Sequence, residues 1–312
     1  PRGGGVHNGA GGFKIFRIWG GGILILRAAP PHIHQGEIGV TIEYDAHYFS
    51  PRDTLECGQI FRFAPFEEGY KVFSAGNACY VYTRGGTTYI ECDDNDYFYN
   101  FFDLARDYAA INERARSYNV PLLTRGAERG AGLRLLNQNA EEMIYSFIIS
   151  QNNNIPRIKG IIERICRALG EEREFLGEKY YTFPTSAALA GAGTAFYKGI
   201  GAGYRDEYLA KTSSRIAAEG IDGLFPLTTA ELKKQLLTYI GIGPKVADCI
   251  SLFGFARREC FPVDTWIEKL YHDDFGGTLK DRNKINAYFC GLFGKDAGYM
   301  QQYLFYAKRE NL

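Results

Sequence analysis

The chain has 312 residues, of which 46% are hydrophobic and 15% aromatic, so it can bury one large core or two ordinary ones. Lysine plus arginine and aspartate plus glutamate both number 36, so net charge indicates no partner and any nucleic-acid surface has to be a local patch. The seven cysteines are widely spread and form no C-x-x-C pair. This argues against a disulfide framework, a zinc site and an iron–sulfur cluster, and favours a reducing compartment.

Residues 1–38 differ in composition from the rest of the chain. They are rich in glycine, and their apolar runs are broken by Lys14, Arg17 and the glycines at 20–22. A signal peptide or a membrane span needs a longer unbroken apolar run. We therefore expect this segment to be a disordered or artefactual leader, and we expect no association with a membrane.

The sequence changes from strand-like to helix-like periodicity near Asp93. From about residue 39 to 92, runs such as VTIEY, CYVYTRGG and TTYIEC alternate with period two and are separated by glycine and asparagine, which predicts an antiparallel sheet with tight turns. The predicted fold class is therefore α+β. An N-terminal domain that contains the antiparallel β-sheet is expected over residues 39–139, and an all-helical domain over residues 140–312.

Several helices are predicted with identifiable ends. A single helix is expected over residues 99–118. Another begins after Asn139, a plausible N-cap with Glu142 three residues on. Two further helices are predicted from the residues at their ends. One has Pro156 near its first turn and ends at Gly170. The other starts at Thr228, which has the spacing of a capping box with Glu231.

The stretch LLTYIGIGPKVADC, residues 236–249, predicts a helix, a short hairpin and a second helix that starts at Pro244. The hairpin glycines Gly241 and Gly243 would let backbone N–H groups approach a phosphate, so this element could hold a DNA strand without reading its sequence. Short glycine turns between helices also occur for packing alone.

Lys245 falls in the first turn of that second helix, where the helix dipole disfavours a cation. A lysine that acts as a neutral amine would benefit, because the dipole and partial burial are both expected to depress its pKa. Asp264 precedes the next helical pattern, where it is expected to cap the helix and to remain ionised near a developing sugar cation. Each residue alone also fits a simpler role, as a solvated lysine or a plain helix cap.

The motifs GIGPKVADC and FPVDTW resemble those of helix-hairpin-helix DNA glycosylases, and more narrowly those of the 8-oxoguanine DNA glycosylase/AP lyase family. The similarity runs from about residue 50 to the C-terminus and includes CGQIFRF, SFIISQNNNIPRI, GAGYRDEYL and AGYMQQYLFYA. The resemblance implies an intracellular base excision repair enzyme that is a monomer and needs no metal or redox cofactor. Its implied partner is double-stranded DNA containing 8-oxoguanine.

The resemblance also implies roles for individual residues. Lys245 would attack C1′ of the damaged nucleotide and form a Schiff base, with Asp264 orienting it and stabilising the oxocarbenium-like charge. The carbonyl of Gly58 would accept the N7–H that 8-oxoguanine has and guanine lacks. The other implied pocket residues are Cys249 and Phe305, which sandwich the flipped base, and Gln301, which bonds its Watson–Crick edge.

The implied DNA contacts lie outside this pocket. Asn152 would fill the gap left by the flipped base, whereas Arg157, Tyr204 and Arg205 would hold the opposing cytosine and wedge the stack. The sequence also departs from the family pattern. Trp266 stands where some relatives have a histidine near the phosphate 5′ of the lesion, Phe253 replaces a methionine at the pocket wall, and YIGIG lacks the hairpin proline of many relatives.

Two alternatives remain open at this point. One is a glycosylase of the same fold for another lesion, although the cysteine spacing disfavours the iron–sulfur branch and monofunctional alkylpurine enzymes lack the lysine. The other is a catalytically inactive helix-hairpin-helix DNA-binding protein. The joint presence of Lys245 and Asp264 argues against an inactive protein.

Overall fold

The computed structural model describes residues 7–9, 13–17, 23–28 and 40–312. An antiparallel sheet forms the N-terminal part, and helices make up most of the rest, so the predicted α+β class is confirmed. The sheet runs in the order β1-β2-β3-β4-β8-β7-β6-β5. Its strands are β1 (His7–Gly9), β2 (Phe13–Arg17), β3 (Ile23–Ala28), β4 (Val40–Asp45), β5 (Phe63–Phe66), β6 (Gly69–Ser74), β7 (Asn77–Arg84) and β8 (Thr87–Cys92). Strands β9 (Glu172–Phe175) and β10 (Glu178–Tyr181) form a separate hairpin.

The expected leader, residues 1–38, contains the first three strands. The sequences of β2 and β3 are rich in apolar residues, which fit sheet pairing, and β3 pairs with β4 from Ile25 opposite Glu43 to Ala28 opposite Val40. The structure has strands in these segments, and the remaining leader residues lie outside the described ones. The expectation of a disordered or artefactual leader stays a prediction. The domain boundaries at 39, 139 and 140 stay predictions.

The helices account for about half of the described chain. They are α1 (Pro51–Leu55), α2 (Asn95–Phe101), α3 (Tyr108–Ser117), α4 (Pro121–Arg129), α5 (Ala140–Ser150), α6 (Ile155–Leu169), α7 (Ser186–Gly199), α8 (Asp206–Glu219), α9 (Thr229–Leu236), α10 (Pro244–Phe253), α11 (Thr265–Asp273), α12 (Arg282–Phe293) and α13 (Ala297–Arg309). Among the described residues, no helix is long and apolar enough to span a membrane.

The single helix predicted over residues 99–118 is wrong, because α2 ends at Phe101 and α3 begins only at Tyr108. Asp107 caps α3 by accepting a hydrogen bond from the Ala110 amide at 3.0 Å. The carbonyls between the two helices are bound by a fully buried arginine, Arg134, whose Nε donates to the Phe102 oxygen at 2.7 Å. A long-range partner therefore stabilises the break, and helical periodicity alone does not reveal it.

The other predicted helix ends are confirmed. Asn139 caps α5 by accepting from the Glu142 amide at 2.9 Å, but the Glu142 carboxylate does not return to the cap. It is buried and accepts instead from the Ala75 amide at 2.8 Å and from Arg62 at 3.4 Å, which ties α5 to the sheet. Helix α6 begins with Pro156 in its first turn and ends at Gly170, and α9 has the complete capping box.

Candidate active site

The hairpin between α9 and α10 has the predicted helix-hairpin-helix geometry. Gly241 has a φ of 81°, and a Cβ there would lie 2.3 Å from Cδ2 of Tyr208, so this position accepts only glycine. Gly243 precedes α10 as its N-cap, provides no side-chain cap, and has open space where a Cβ would stand. The first N–H groups of α10 thus meet no capping side chain, which is the arrangement that binds phosphate oxygens.

Lys245 follows Pro244 at this helix start and is partly buried. Its Nζ lies 5.8 Å from the centroid of the Phe147 ring, which stacks on Phe253 at 5.5 Å between centroids. The amine interacts electrostatically with Cys249, one turn further along α10, and with the Asp264 carboxylate. The predicted nucleophile and its carboxylate are therefore brought together.

The expectation that the pKa of Lys245 is depressed is wrong for the unbound protein. The pKa of the amine is raised, because interactions with Cys249 and then with the Asp264 carboxylate favour the ammonium by more than burial disfavours it. Burial in turn raises the pKa of the Cys249 thiol to about 11, against the opposing effect of the lysine. The lysine is thus an ammonium at neutral pH and must lose a proton before it can attack.

A buried carboxylate that the sequence analysis did not single out joins the helices around Lys245. Asp248 Oδ1 lies 2.6 Å from Nζ of Lys233 on α9, and its Oδ2 accepts at 3.0 Å from Nδ2 of Asn286 on α12. The same amide nitrogen donates to the Phe261 carbonyl at 2.7 Å. One asparagine therefore connects the lysine helix to the segment that leads into Asp264. The only sequence signal was a charge inside an apolar helical run.

A cleft of about 440 Å³ opens beside Lys245 and Asp248. Its lining residues are Pro244, Lys245, Asp248, Val263, Asp281, Arg282, Asn283 and Asn286. The start of α12 forms one wall and the start of α10 the other. The residues predicted for the lesion pocket are not among those that line it.

Asp264 caps α11 as predicted, since its Oδ1 accepts from the Ile267 amide at 2.9 Å. This contact fixes the carboxylate at the start of the helix and within electrostatic range of Lys245. Trp266, two residues on, does not join the core, because 57% of its surface is exposed. The Trp266 side chain therefore lies on the surface near the start of α11.

The predicted lesion-pocket residues lie on three segments. Cys249 and Phe253 are buried on α10, whereas Gln301 and Phe305 occupy successive turns of α13. The two helices approach closely at Gly298, where a Cβ would lie 2.4 Å from Cδ1 of Leu252. Cys249 and Gln301 each lie one turn from this contact.

The third segment of the predicted pocket is the loop after α1. Gly58 has a φ of 85° and open space around its Cβ position. The loop reaches α13 through Arg309, whose guanidinium donates to the carbonyl of Glu56. Gly58 is thereby tied to the helix that carries Gln301 and Phe305.

The run of three asparagines forms the turn between α5 and α6, as the preference of asparagine for caps and turns predicts. Asn153 donates to the last turn of α5 through the Ile149 carbonyl at 3.0 Å, and Asn154 caps α6 by accepting from the Arg157 amide at 3.0 Å. Asn152 is exposed with a φ of 44°. Two of the asparagines are thus explained by capping, and Asn152 is left projecting from the turn.

The three residues predicted to contact the opposing base occupy different environments. Arg157 is exposed and donates to the Gly201 carbonyl at 3.0 Å, and Tyr204 is 53% exposed. Arg205 is only 1% exposed and donates to the carbonyls of Gln151, Asn152 and Ala202.

A direct DNA contact by Arg205 therefore requires its guanidinium to leave these carbonyls. In the unbound protein the buried Arg205 supports the Asn152 turn, whereas the side chains of Arg157 and Tyr204 are exposed at the surface. Burial of Arg205 follows from main-chain oxygens more than 50 residues away, which the sequence does not reveal.

Known proteins similar to this chain identify its family. Residues 41–144 match the family model described as the 8-oxoguanine DNA glycosylase N-terminal domain. A probable N-glycosylase/DNA lyase of Methanothermobacter thermautotrophicus is 32% identical over 235 residues, which cover 68% of this chain and 72% of that protein. The chain belongs to the 8-oxoguanine DNA glycosylase/AP lyase family.

Solved structures agree with this assignment. The Clostridium acetobutylicum 8-oxoguanine glycosylase/lyase in complex with double-stranded DNA that has cytosine opposite 8-oxoguanine superimposes with a TM-score of 0.82 at 33% identity, covering 89% of this chain and 98% of that one. MBOgg1 in complex with a low-affinity DNA ligand gives a TM-score of 0.83 at 32% identity, covering 90% and 98%. The protein is an 8-oxoguanine DNA N-glycosylase with AP lyase activity, which disfavours the inactive alternative.

In the described part of the glycosylase, no group of three or more His, Cys, Asp or Glu side chains is placed to hold a metal ion. The site contains an amine, a carboxylate and an uncapped helix start. These groups suit nucleophilic attack beside a phosphate backbone.

The raised pKa of Lys245 predicts the pH dependence of imine formation. Only the neutral amine attacks, so the rate of borohydride trapping on an abasic-site duplex should rise by up to about tenfold per pH unit above neutrality. Lys245→Gln gives the background. A trapping rate that does not change with pH above neutrality would contradict an ammonium resting state of Lys245.

Proposed function

We propose that this glycosylase flips 8-oxoguanine out of duplex DNA, excises it opposite cytosine through a Lys245 Schiff base, and nicks the strand by β-elimination. The observation that carries the proposal is the placement of Lys245 at the uncapped start of α10, within electrostatic range of Asp264. The family's solved complexes with damaged DNA support the substrate class.

The chemistry follows from these groups. The Lys245 nitrogen bonds to C1′ as the C1′–N9 bond breaks, and the base leaves with the electron pair and takes up a proton. The carboxylate of Asp264, fixed by its cap contact with Ile267, stabilises the positive charge that develops on the sugar ring. Ring opening yields the imine. Loss of a C2′ proton then expels the 3′ phosphate and nicks the strand.

The unbound state adds a proton-transfer step to this scheme. Because the pKa of Lys245 is raised, a proton must leave the ammonium when the lesion enters. Cys249 lies one turn after Lys245 on α10, and it is also proposed to stack on the flipped base. We infer that lesion binding changes the surroundings of both groups, so that base recognition and activation of the amine are coupled.

The proposed lesion pocket uses the backbone of Gly58 and the side chains of Cys249, Gln301 and Phe305, with Phe253 as its wall. Trp266 is proposed to contact the lesion strand near the 5′ phosphate. A protonated N7 would donate to the Gly58 carbonyl, whereas the N7 lone pair of guanine would face it unpaired. The open space at Gly58 means that Gly58→Ala would act through strain at a φ of 85° and through contact with the base.

The DNA is proposed to be held at two places. The hairpin of Gly241 and Gly243 would bind the backbone, and the Asn152 turn with Arg157, Tyr204 and Arg205 would occupy the gap and hold the opposing cytosine. Tyr208 lies against Gly241 and 6.0 Å from the Tyr204 ring, so the two places are joined by aromatic contacts.

One prediction of the proposed function concerns the nucleophile. Lys245→Gln removes the amine while keeping a polar side chain, so excision of 8-oxoguanine and strand nicking should both fall to near background, whereas binding of the lesion duplex should persist. Single-turnover cleavage and a binding titration measure the two effects. Lys234→Gln, an exposed lysine on α9, is the matched control. Substantial excision by Lys245→Gln would refute the role of this lysine.

A second prediction concerns the opposing base. Arginine donors suit the N3 and O2 acceptors of cytosine, so wild type should excise 8-oxoguanine opposite cytosine about ten- to a hundredfold faster than opposite adenine. Arg157→Ala should reduce this preference and keep part of the activity opposite cytosine, because the lesion pocket is unchanged. Single-turnover rates on the two duplexes provide the test.

Arg164→Ala is the matched control for Arg157→Ala, since Arg164 is exposed on the same helix and donates to the neighbouring Ile200 carbonyl at 2.9 Å. Equal wild-type rates opposite cytosine and adenine would remove the arginines from a specificity role. A panel of other oxidised and alkylated bases, each opposite all four bases, decides between 8-oxoguanine and another lesion as the preferred substrate.

A further inference from the structure

The loop around Gly58 is held rigidly by a buried glutamine that the proposed chemistry does not use. Gln59 is fully buried. Its Nε2 donates to the Thr54 carbonyl at 2.9 Å and to the Arg134 carbonyl at 2.7 Å, and its Oε1 accepts from the Leu136 amide at 2.9 Å. A side-chain amide has two donors and one acceptor oxygen, so both ends of this side chain are hydrogen-bonded.

Both chain neighbours of Gly58 are anchored as well, Gln59 through its carbonyl and Cys57 through its side chain. The Gln59 carbonyl accepts from Nε2 of Gln138 at 2.7 Å, and the Cys57 thiol donates to the Thr54 carbonyl at 3.1 Å. Burial raises the pKa of the Cys57 thiol to about 11, which keeps it a donor at neutral pH. The residues before and after Gly58 are therefore fixed, and the peptide between them cannot turn freely although one of its residues is a glycine.

We propose that Gln59 is a positioning residue for damage selectivity, which holds the Gly58 carbonyl in the orientation that accepts a hydrogen bond from the damaged base. The inference rests on the proposed role of that carbonyl in the lesion pocket. A carbonyl that is already oriented spends no binding energy on ordering, and it cannot rotate to avoid the N7 lone pair of guanine. Discrimination between the two bases thus depends on how firmly the loop is held.

Arg309 is a second side chain that anchors the loop around Gly58. It donates to the Glu56 carbonyl from α13, two turns after Gln301 and one turn after Phe305. The loop and the helix proposed to hold the other faces of the base are therefore joined by one side chain. Arg309 is only partly buried, so its replacement disturbs the core less than replacement of Gln59.

The test measures affinity for three duplexes in the Lys245→Gln background, which keeps the base attached. They contain 8-oxoguanine opposite cytosine, guanine opposite cytosine, and a tetrahydrofuran abasic analogue opposite cytosine. Gln59→Met should reduce the affinity ratio of the 8-oxoguanine duplex to the guanine duplex by about three- to tenfold, the worth of one neutral hydrogen bond. Affinity for the abasic duplex, which presents no base to Gly58, should be unchanged.

Arg309→Met should also lower the affinity ratio of the 8-oxoguanine duplex to the guanine duplex. If Gln59→Met does not fold, the result for Arg309→Met tests the inference. Arg257→Met is the matched control, because Arg257 likewise binds main-chain carbonyls, those of Phe225 and Leu227, and neither belongs to the loop. An unchanged ratio in a folded variant, or equal losses on all three duplexes, would overturn the inference. If the background protein itself does not distinguish 8-oxoguanine from guanine, the proposed function has failed.

Discussion

The buried carboxylate of Asp248 is the contact on which the arrangement of the active site depends. It joins α9 through Lys233, at 2.6 Å, to α12 through Asn286, at 3.0 Å, from a position three residues after Lys245. Burial raises the pKa of this carboxyl, and Lys233 counteracts the rise. Removing one partner from a buried ion pair typically costs about 3–5 kcal/mol, so this pair has to be kept intact for the lysine helix to hold its place.

Asn286 extends this constraint to the second catalytic group. Its amide nitrogen binds both the Asp248 carboxylate and the Phe261 carbonyl, three residues before Asp264. The amine and the carboxylate are thus positioned by one hydrogen-bonded bridge between two segments that are distant in sequence. Misplacement of reacting groups by about 1 Å can cost two orders of magnitude in rate, which gives the bridge a functional as well as a structural role.

The start of α10 breaks several local rules of helix design. It has no side-chain cap, it places a lysine at the positive end of the helix dipole, and it exposes glycine backbone. Such conflicts concentrate at functional sites and are offset elsewhere in the fold. Here the offset comes from Asp264 and Cys249, which outweigh burial and keep the lysine charged in the unbound protein.

Local signals in the sequence were sufficient for much of this site. The hairpin, the start of α10 at Pro244 and the cap at Asp264 follow from short-range rules of helix capping and turn formation, and the structure confirms them. The direction of the Lys245 pKa shift was wrong, because the dipole argument did not include the side chains that pack around the amine.

Contacts over long sequence distances account for what the sequence did not predict. Three examples are the break between α2 and α3, the burial of Arg205 and the bridge through Asn286. In each, the hydrogen-bonding partner is between 25 and 54 positions away in the sequence. Contacts of this kind leave no periodic pattern in the sequence. Gln59 is a further case, since its partners at Arg134 and Leu136 come from a different part of the chain.

The most direct test of the central claim is to identify the residue that bonds to DNA. Wild-type protein would be incubated with a duplex containing 8-oxoguanine opposite cytosine in the presence of borohydride, and the covalent complex digested and mapped by mass spectrometry. The account predicts one adduct, on Lys245, in a peptide not cleaved after that residue. An adduct on another lysine, such as Lys159 or Lys233, or excision without any trapped complex, would contradict it.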